Sequence, residues 1–200
     1  MSERVNRSRR GRRGYTLVEV MSAMTLFAIG AAGVIGMQRV TIQGGEDARN
    51  FDMATNIARE WQHRLQRDSL LWTQPDSIVS TSNISNTHWI SAGVNAENTW
   101  LTPTYVGDDS NIDGYAHAFD VHGRDVADTD TDKMFCVQYR LGWIAPGGED
   151  TPNITAIIRA EIRVYWARLE FEPANCANPP VPNQHHVVSL ATALRENPLR

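Results

Sequence analysis

From Tyr15 to Met37 the chain holds 23 residues with a single charge, Glu19. An apolar run of that length predicts a helix able to cross a hydrocarbon core, which needs ~20 residues. The pattern then changes. Phe51, Ala54, Ala58, Trp61 and Leu65 recur at alternating steps of three and four, an apolar stripe of helical period. Asn50, Asp52, Arg59, Glu60, Gln62, Arg64 and Gln66 fall between them and predict a solvated opposite face. Helix is therefore expected from Tyr15 to about Leu71, a span of ~85 Å if unbroken. Gly44-Gly45 is the weak join in it, and Pro75 ends it.

The second half reads differently. Residues 76–133 are rich in Ser, Thr, Asn, Asp and Gly, with Trp89, Trp100, Tyr105, Tyr115 and Phe119 as isolated aromatics. This predicts a long irregular connection with short ordered pieces, anchored by the aromatics. Residues 135–144 then alternate as a strand, and the Pro146-Gly147-Gly148 turn region follows. Residues 157–168 alternate more sharply. Ile158, Ala160, Ile162, Val164 and Trp166 share one face, and Arg159, Glu161 and Arg163 share the other. After Pro179, Pro180 and Pro182, residues 187–194 give a third strand. The fold class this predicts is α+β. The segments are 1–14, a basic leader; 15–38, a membrane helix; 39–72, its amphipathic continuation; and 73–200, a head. The head divides into an irregular connection (73–134) and an antiparallel sheet (135–195).

Charge gives these segments a topology. The formal net charge is -4, yet residues 1–14 contain six arginines against Glu3. That is +5 in the leader and therefore -9 in the remainder. Arginines ahead of a lone apolar span place the N-terminus in the cytoplasm and the head outside. The remainder has no Lys/Arg cluster suited to a phosphate backbone, so no nucleic-acid contact is expected. Cys136 and Cys176 belong to no zinc-like spacing. They are either two buried thiols or, in an extracytoplasmic head, one disulfide.

Three processing signals compete at the front. A secretory cleavage after Ala31-Ala32-Gly33 leaves Glu19 inside the apolar core. A twin-arginine address at Ser8-Arg9-Arg10 is followed by Gly11-Arg12-Arg13 where apolar residues belong. The third accounts for every residue. Gly14-Tyr15-Thr16-Leu17-Val18-Glu19 resembles the leader of type IV prepilins and type II secretion pseudopilins, with Tyr15 in place of the usual Phe. That resemblance implies a pilin fold, a long N-terminal helix packed on a small antiparallel sheet. It implies cleavage between Gly14 and Tyr15 by prepilin peptidase, which also N-methylates Tyr15. It implies that Glu19 meets the α-amino group of a neighbouring subunit's Tyr15, since a carboxylate among apolar helices needs a partner. The other partners implied are the major pilin, other minor pilins and the inner-membrane assembly platform, in a single-pass protein of the bacterial inner membrane. The anchor lacks proline; Gly30, Gly33 and Gly36 are its flexible points, and their spacing marks either sites for close helix approach or simply a weak helix of small residues. Phe27-Ala28-Ile29-Gly30-Ala31-Ala32-Gly33 and the Ile162-Val164-Trp166 strand are similar to the minor pilins called type IV pilus modification proteins (PilV-type).

Enzyme motifs are missing: the sequence has no nucleophile elbow, no zincin helix and no phosphate-binding glycine loop. No enzyme activity and no cofactor are expected. His185-His186 could ligate a metal, but in a strand the two side chains point to opposite faces. Asp128, Asp130 and Asp132 alternate in a way that could suit Ca²⁺, but lack the glycine and distal Glu of an EF-hand loop; a solvated acidic loop is the favoured account of them. The expected function is that of a minor type IV pilin of the tip or priming complex. The alternatives are a minor pseudopilin of type II secretion and a signal-anchored periplasmic binding or enzymatic domain.

Overall fold

A computed structural model of the chain describes residues 15–72, 83–104, 117–127, 130–145, 156–168, 175–176 and 178–196. The elements are α1 (Leu17–Ser69), a 3-10 turn (Ile84–Asn86), α2 (Trp89–Asn95), β1 (Ala118–Phe119), β2 (Asp125–Val126), β3 (Phe135–Ala145), β4 (Ile157–Ala167) and β5 (His185–Arg195). The chain divides into two compact units, Met1–Asp47 and Ala48–Arg200. The arrangement is α+β and pilin-like: a long N-terminal helix packed on a small antiparallel sheet of strand order β2-β1-β3-β4-β5.

In the second unit the last part of α1 lies on one face of the sheet. Ala54, Ile57, Ala58, Trp61 and Leu65 are buried there with Phe135, Val137, Tyr139 and Leu141 of β3 and Ile158, Ala160, Ile162 and Val164 of β4. Register explains the shared face. Val137 pairs with Val164 and Tyr139 with Ile162, so the inward sets of both strands fall in one layer. Val188 and Leu190 of β5 continue it as half-buried positions opposite Val164 and Ile162.

The stripe expected on the helix departs from the structure at both polarities. Phe51 is exposed, because the buried face begins at Ala54. Arg64, expected on the solvated face, is buried. Its guanidinium lies 4.9 Å from the Trp61 ring centroid and 5.8 Å from that of Phe119. It donates to Glu60 Oε1 at 3.3 Å and to Asp125 Oδ2 at 3.2 Å. The pair with Asp125 fixes β2 to the helix, which is why a charge can stand in the core. Gly44 and Gly45 are both helical.

Residues 73–134, expected to be largely irregular, contain α2, β1 and β2. Asp68 of α1 organises this region. Its buried carboxylate accepts the backbone N–H groups of His88, Trp89 and Ile90 at 2.8, 2.9 and 3.0 Å. Those are orphan donors of α2, satisfied from another helix. The Tyr139 hydroxyl donates to Trp89 O at 3.0 Å. Burial, then the nearby Asp68 charge, pushes that phenol well above its usual range. Past α2, Asn98 N–H bonds Leu141 O and Leu101 pairs with Tyr139, so residues 98–101 cover the β3 edge that β1 leaves open. Asp68→Ala should lower stability by roughly 2–3 kcal/mol, because three donors lose their acceptor. Asp68→Asn, which keeps one acceptor oxygen, should cost less. Urea unfolding of the full chain in detergent reads both, and a loss below about 0.5 kcal/mol for the alanine variant contradicts the assignment.

The β1–β2 turn is held the same way. Asp120 accepts from His122 N–H and Arg124 N–H at 2.8 and 2.9 Å and from Arg124 Nε at 2.8 Å. Gly123 takes φ +75° there, and a Cβ at this position would stand 2.7 Å from Met53 Sδ. Burial acts to raise the Asp120 pKa, but hydrogen bonds from Arg124 and His122 outweigh it and leave the carboxyl below the ordinary 3.8. A depressed pKa stabilises the fold above the unfolded value and is lost as pH falls through the folded one. An Asp120→Asn chain should therefore show a shallower loss of stability on acidification below about pH 4 than the parent.

Candidate functional site

In the first unit Thr16 caps α1. Its Oγ1 accepts Glu19 N–H at 3.3 Å, and its carbonyl accepts Glu19 N–H at 3.1 Å and Val20 N–H at 3.3 Å. Glu19 thus stands third in the helix, the position from which a capping box reaches back to the cap residue. The pattern Thr-x-x-Glu is legible in the sequence, and the bond formed runs from the Glu19 backbone N–H to the Thr16 hydroxyl. Gly14 lies outside the described residues. Tyr15 is 83% exposed, immediately ahead of the cap.

Within this unit the apolar side chains have nothing to pack on. Leu17, Val18, Met21, Met24, Leu26, Phe27, Ile29 and Met37 are all exposed. Gly30, Gly33 and Gly36 have no atom within 4 Å of a Cβ built on them. Such a surface is stable in lipid or against other helices, not in water. The helix is long and apolar enough near its N-terminus to cross a membrane, which is consistent with membrane anchoring. Ser22, Thr25 and Thr41 return their hydroxyls to carbonyls of their own helix, at 3.0, 2.8 and 2.9 Å, so they expose no unpaired polar group there.

The head's remaining candidates are spread apart. Cys136 and Cys176 form a disulfide, Cα–Cα 5.1 Å, in a small buried cluster with Ala118 and Tyr165 on the sheet face away from α1. Asp128 lies outside the described residues. Asp130 Oδ1 accepts Asp132 N–H at 2.9 Å, a local turn bond. His185 packs edge-on to Tyr165, whereas His186 stacks on Trp166 at 5.3 Å, on opposite faces of the sheet. Among the described residues no three His, Cys, Asp or Glu side chains converge as a metal site.

These features are pilin-like and consistent with membrane anchoring through the N-terminal helix. Residues 9–35 match the prokaryotic N-terminal methylation motif, the leader of type IV pilin-like proteins. No curated protein and no solved structure matches the chain. The motif implies processing by prepilin peptidase and assembly into pilus-like machinery. It covers Gly14, Tyr15 and Glu19 and ends within the apolar run.

Proposed function

We propose that this chain is a minor type IV pilin, a structural subunit of the tip or priming complex that helps start pilus assembly. The observation that carries the reading is the methylation motif at residues 9–35 laid over the start of a helix whose large apolar side chains there are exposed. Prepilin peptidase cuts between Gly14 and Tyr15 and methylates the new amino group. The head stands on the periplasmic side of the inner membrane, with the arginine-rich leader in the cytoplasm. The Tyr15–Met37 segment is stored in the bilayer and moves into the fibre core, against the major pilin and other minor pilins, at the inner-membrane platform. Glu19 neutralises the amino terminus of a neighbouring subunit. The reading as a modification-type minor pilin leans on Phe27–Gly33. The similarity at Ile162, Val164 and Trp166 weighs less, since these are core positions of a half-buried strand.

Intact-mass analysis of the protein from its membrane tests this reading. The expected chain starts at N-methyl-Tyr15; one that retains Met1 overturns it and returns the protein to the class of signal-anchored periplasmic domains. The same leader serves pseudopilins of type II secretion. Deleting the gene and scoring surface fibres and twitching against exoprotein release separates the two machines, and loss of fibres is the expected outcome.

A further inference from the structure

Among the described residues no strand pairs with the outer edge of β5. β5 has 11 residues, pairs with β4 throughout without a bulge, and is last in the sheet order. The phase of its ladder is set at both ends, where Arg168 N–H bonds Gln184 O and Glu196 N–H bonds Ala156 O. Antiparallel pairing alternates, so the even-numbered residues turn their backbone groups to β4. Val187, Ser189, Ala191 and Ala193 turn theirs outward, and all four are exposed. Sheets blunt an open edge with proline, lysine, a bulge or an inward charge. The segment HHVVSLATALR has none of these; its one charge, Arg195, is terminal.

The neighbouring side chains define what the edge would take. On the face away from α1, Arg163 lies opposite Ser189 and Arg159 opposite Ala193. Arg140 lies opposite Glu161 and bonds it at 2.6 Å, and Arg159 shares that carboxylate at 3.1 Å. Trp100 has the Arg140 and Arg163 guanidiniums 4.8 and 4.0 Å from its ring centroid. With Arg195, four arginines face one glutamate. Because Ser189, Ala191 and Ala193 are short, nothing on β5 screens Arg159 from the edge; Arg163 turns the other way, its Nε donating to Gln138 Oε1 of β3 at 3.0 Å. A strand added there lies two strand spacings, ~10 Å, from β4, within the combined reach of Arg and Glu side chains.

We propose that the β5 edge receives an extended acidic segment of a partner protein as a further strand. Its backbone pairs with the outward groups of residues 187–193. Its alternate carboxylates reach over the short side chains to Arg159, with Arg195 at the end of the edge, and draw Arg163 from Gln138. A nucleic acid fits less well, since a phosphate backbone has no donors for the outward carbonyls. The test uses the full chain in detergent micelles and a labelled nine-residue peptide of alternating Thr and Glu, read by fluorescence anisotropy. Controls are the same peptide with Lys for Glu, the same with a central proline, and an oligothymidine. The Thr–Glu peptide should bind and the controls should not. Ala191→Pro removes only an outward N–H and should weaken binding at least about tenfold. Ala193→Glu should do the same by repulsion, with no backbone change, and so serves even if the proline variant misfolds. Arg159→Glu with Arg163→Glu should also lose about tenfold or more. No binding of the Thr–Glu peptide up to about 1 mM overturns the proposal. Equal binding of the proline peptide or the oligothymidine does so too, as does a β5-mediated dimer seen in sedimentation that excludes the peptide. No assembled fibre is needed, so the outcome is independent of the pilin reading.

Discussion

Replacing Cys136 and Cys176 together with alanine is expected to lower the head's stability by about 4 kcal/mol. The bond closes a loop with a sequence separation of 40 residues. On the chain-entropy account that closure restricts the unfolded ensemble more than it tightens the folded one. The folded contacts around it support the same division. Cys176 O accepts from Thr102 Oγ1 at 3.1 Å, Gln138 Nε2 at 3.2 Å and the Tyr165 hydroxyl at 3.2 Å. That hydroxyl also lies 2.8 Å from Asn178 O, so its single proton has more than one acceptor. These ties survive loss of the bridge. The alanine pair should therefore keep its far-UV signal while its denaturation midpoint falls. Against a total of ~5–15 kcal/mol for an ordinary domain, that is a large share. A shift of less than about 1 kcal/mol would mean that the hydrogen bonds to Cys176 O already hold residues 175–178, and the chain-entropy account would be wrong here.

What the sequence made legible followed from periodicity. β3 and β4 were visible because alternation over 11 residues leaves few other readings. β5 begins at His185, two residues ahead of the apolar run that marked it, because histidines carry no alternation signal. α2 was not visible. Seven residues, WISAGVN, make two turns, too few to show a 3.6 period, and its start is set by Asp68 from another helix. β1 and β2 have two residues each and exist only through their pairing.

Charge was misread for a related reason. Arg64 sits between Gln62 and Gln66 and resembles a solvated face, and nothing beside Asp68 in the sequence marks it as buried. What buries them, Asp125 in one case and the α2 amides in the other, lies 61 and 20–22 residues away. No local window contains those partners. Phe51 erred the other way: it has the right spacing for the stripe but precedes the first residue that the sheet covers. At the N-terminus the order reverses. The pairing of Thr16 with Glu19 is local, three residues apart, and could have been read directly from the sequence.

That local pairing sharpens the largest functional effect expected, at Glu19. Two roles are proposed for its carboxylate: completion of the cap at Thr16, and charge pairing with the amino terminus of an adjacent subunit. Substitution can separate them. Glutamine serves in a capping box as glutamate does but carries no charge. Glu19→Ala removes both roles, Glu19→Gln only the charge, and Thr16→Val mainly the cap. A cap contributes about 1 kcal/mol and frays one turn when lost. An unpaired charge among packed apolar helices costs ~3–5 kcal/mol, enough to reduce assembly by two or more orders of magnitude. Glu19→Ala and Glu19→Gln should therefore both be processed and retained in the membrane, yet be absent from sheared fibres. Thr16→Val should be incorporated at a level reduced by about tenfold or less. The measurement is the ratio of fibre to membrane protein for each variant, with the mature N-terminus checked by mass. Wild-type incorporation of Glu19→Gln would reduce Glu19 to a helix cap and remove charge neutralisation from the assembly mechanism.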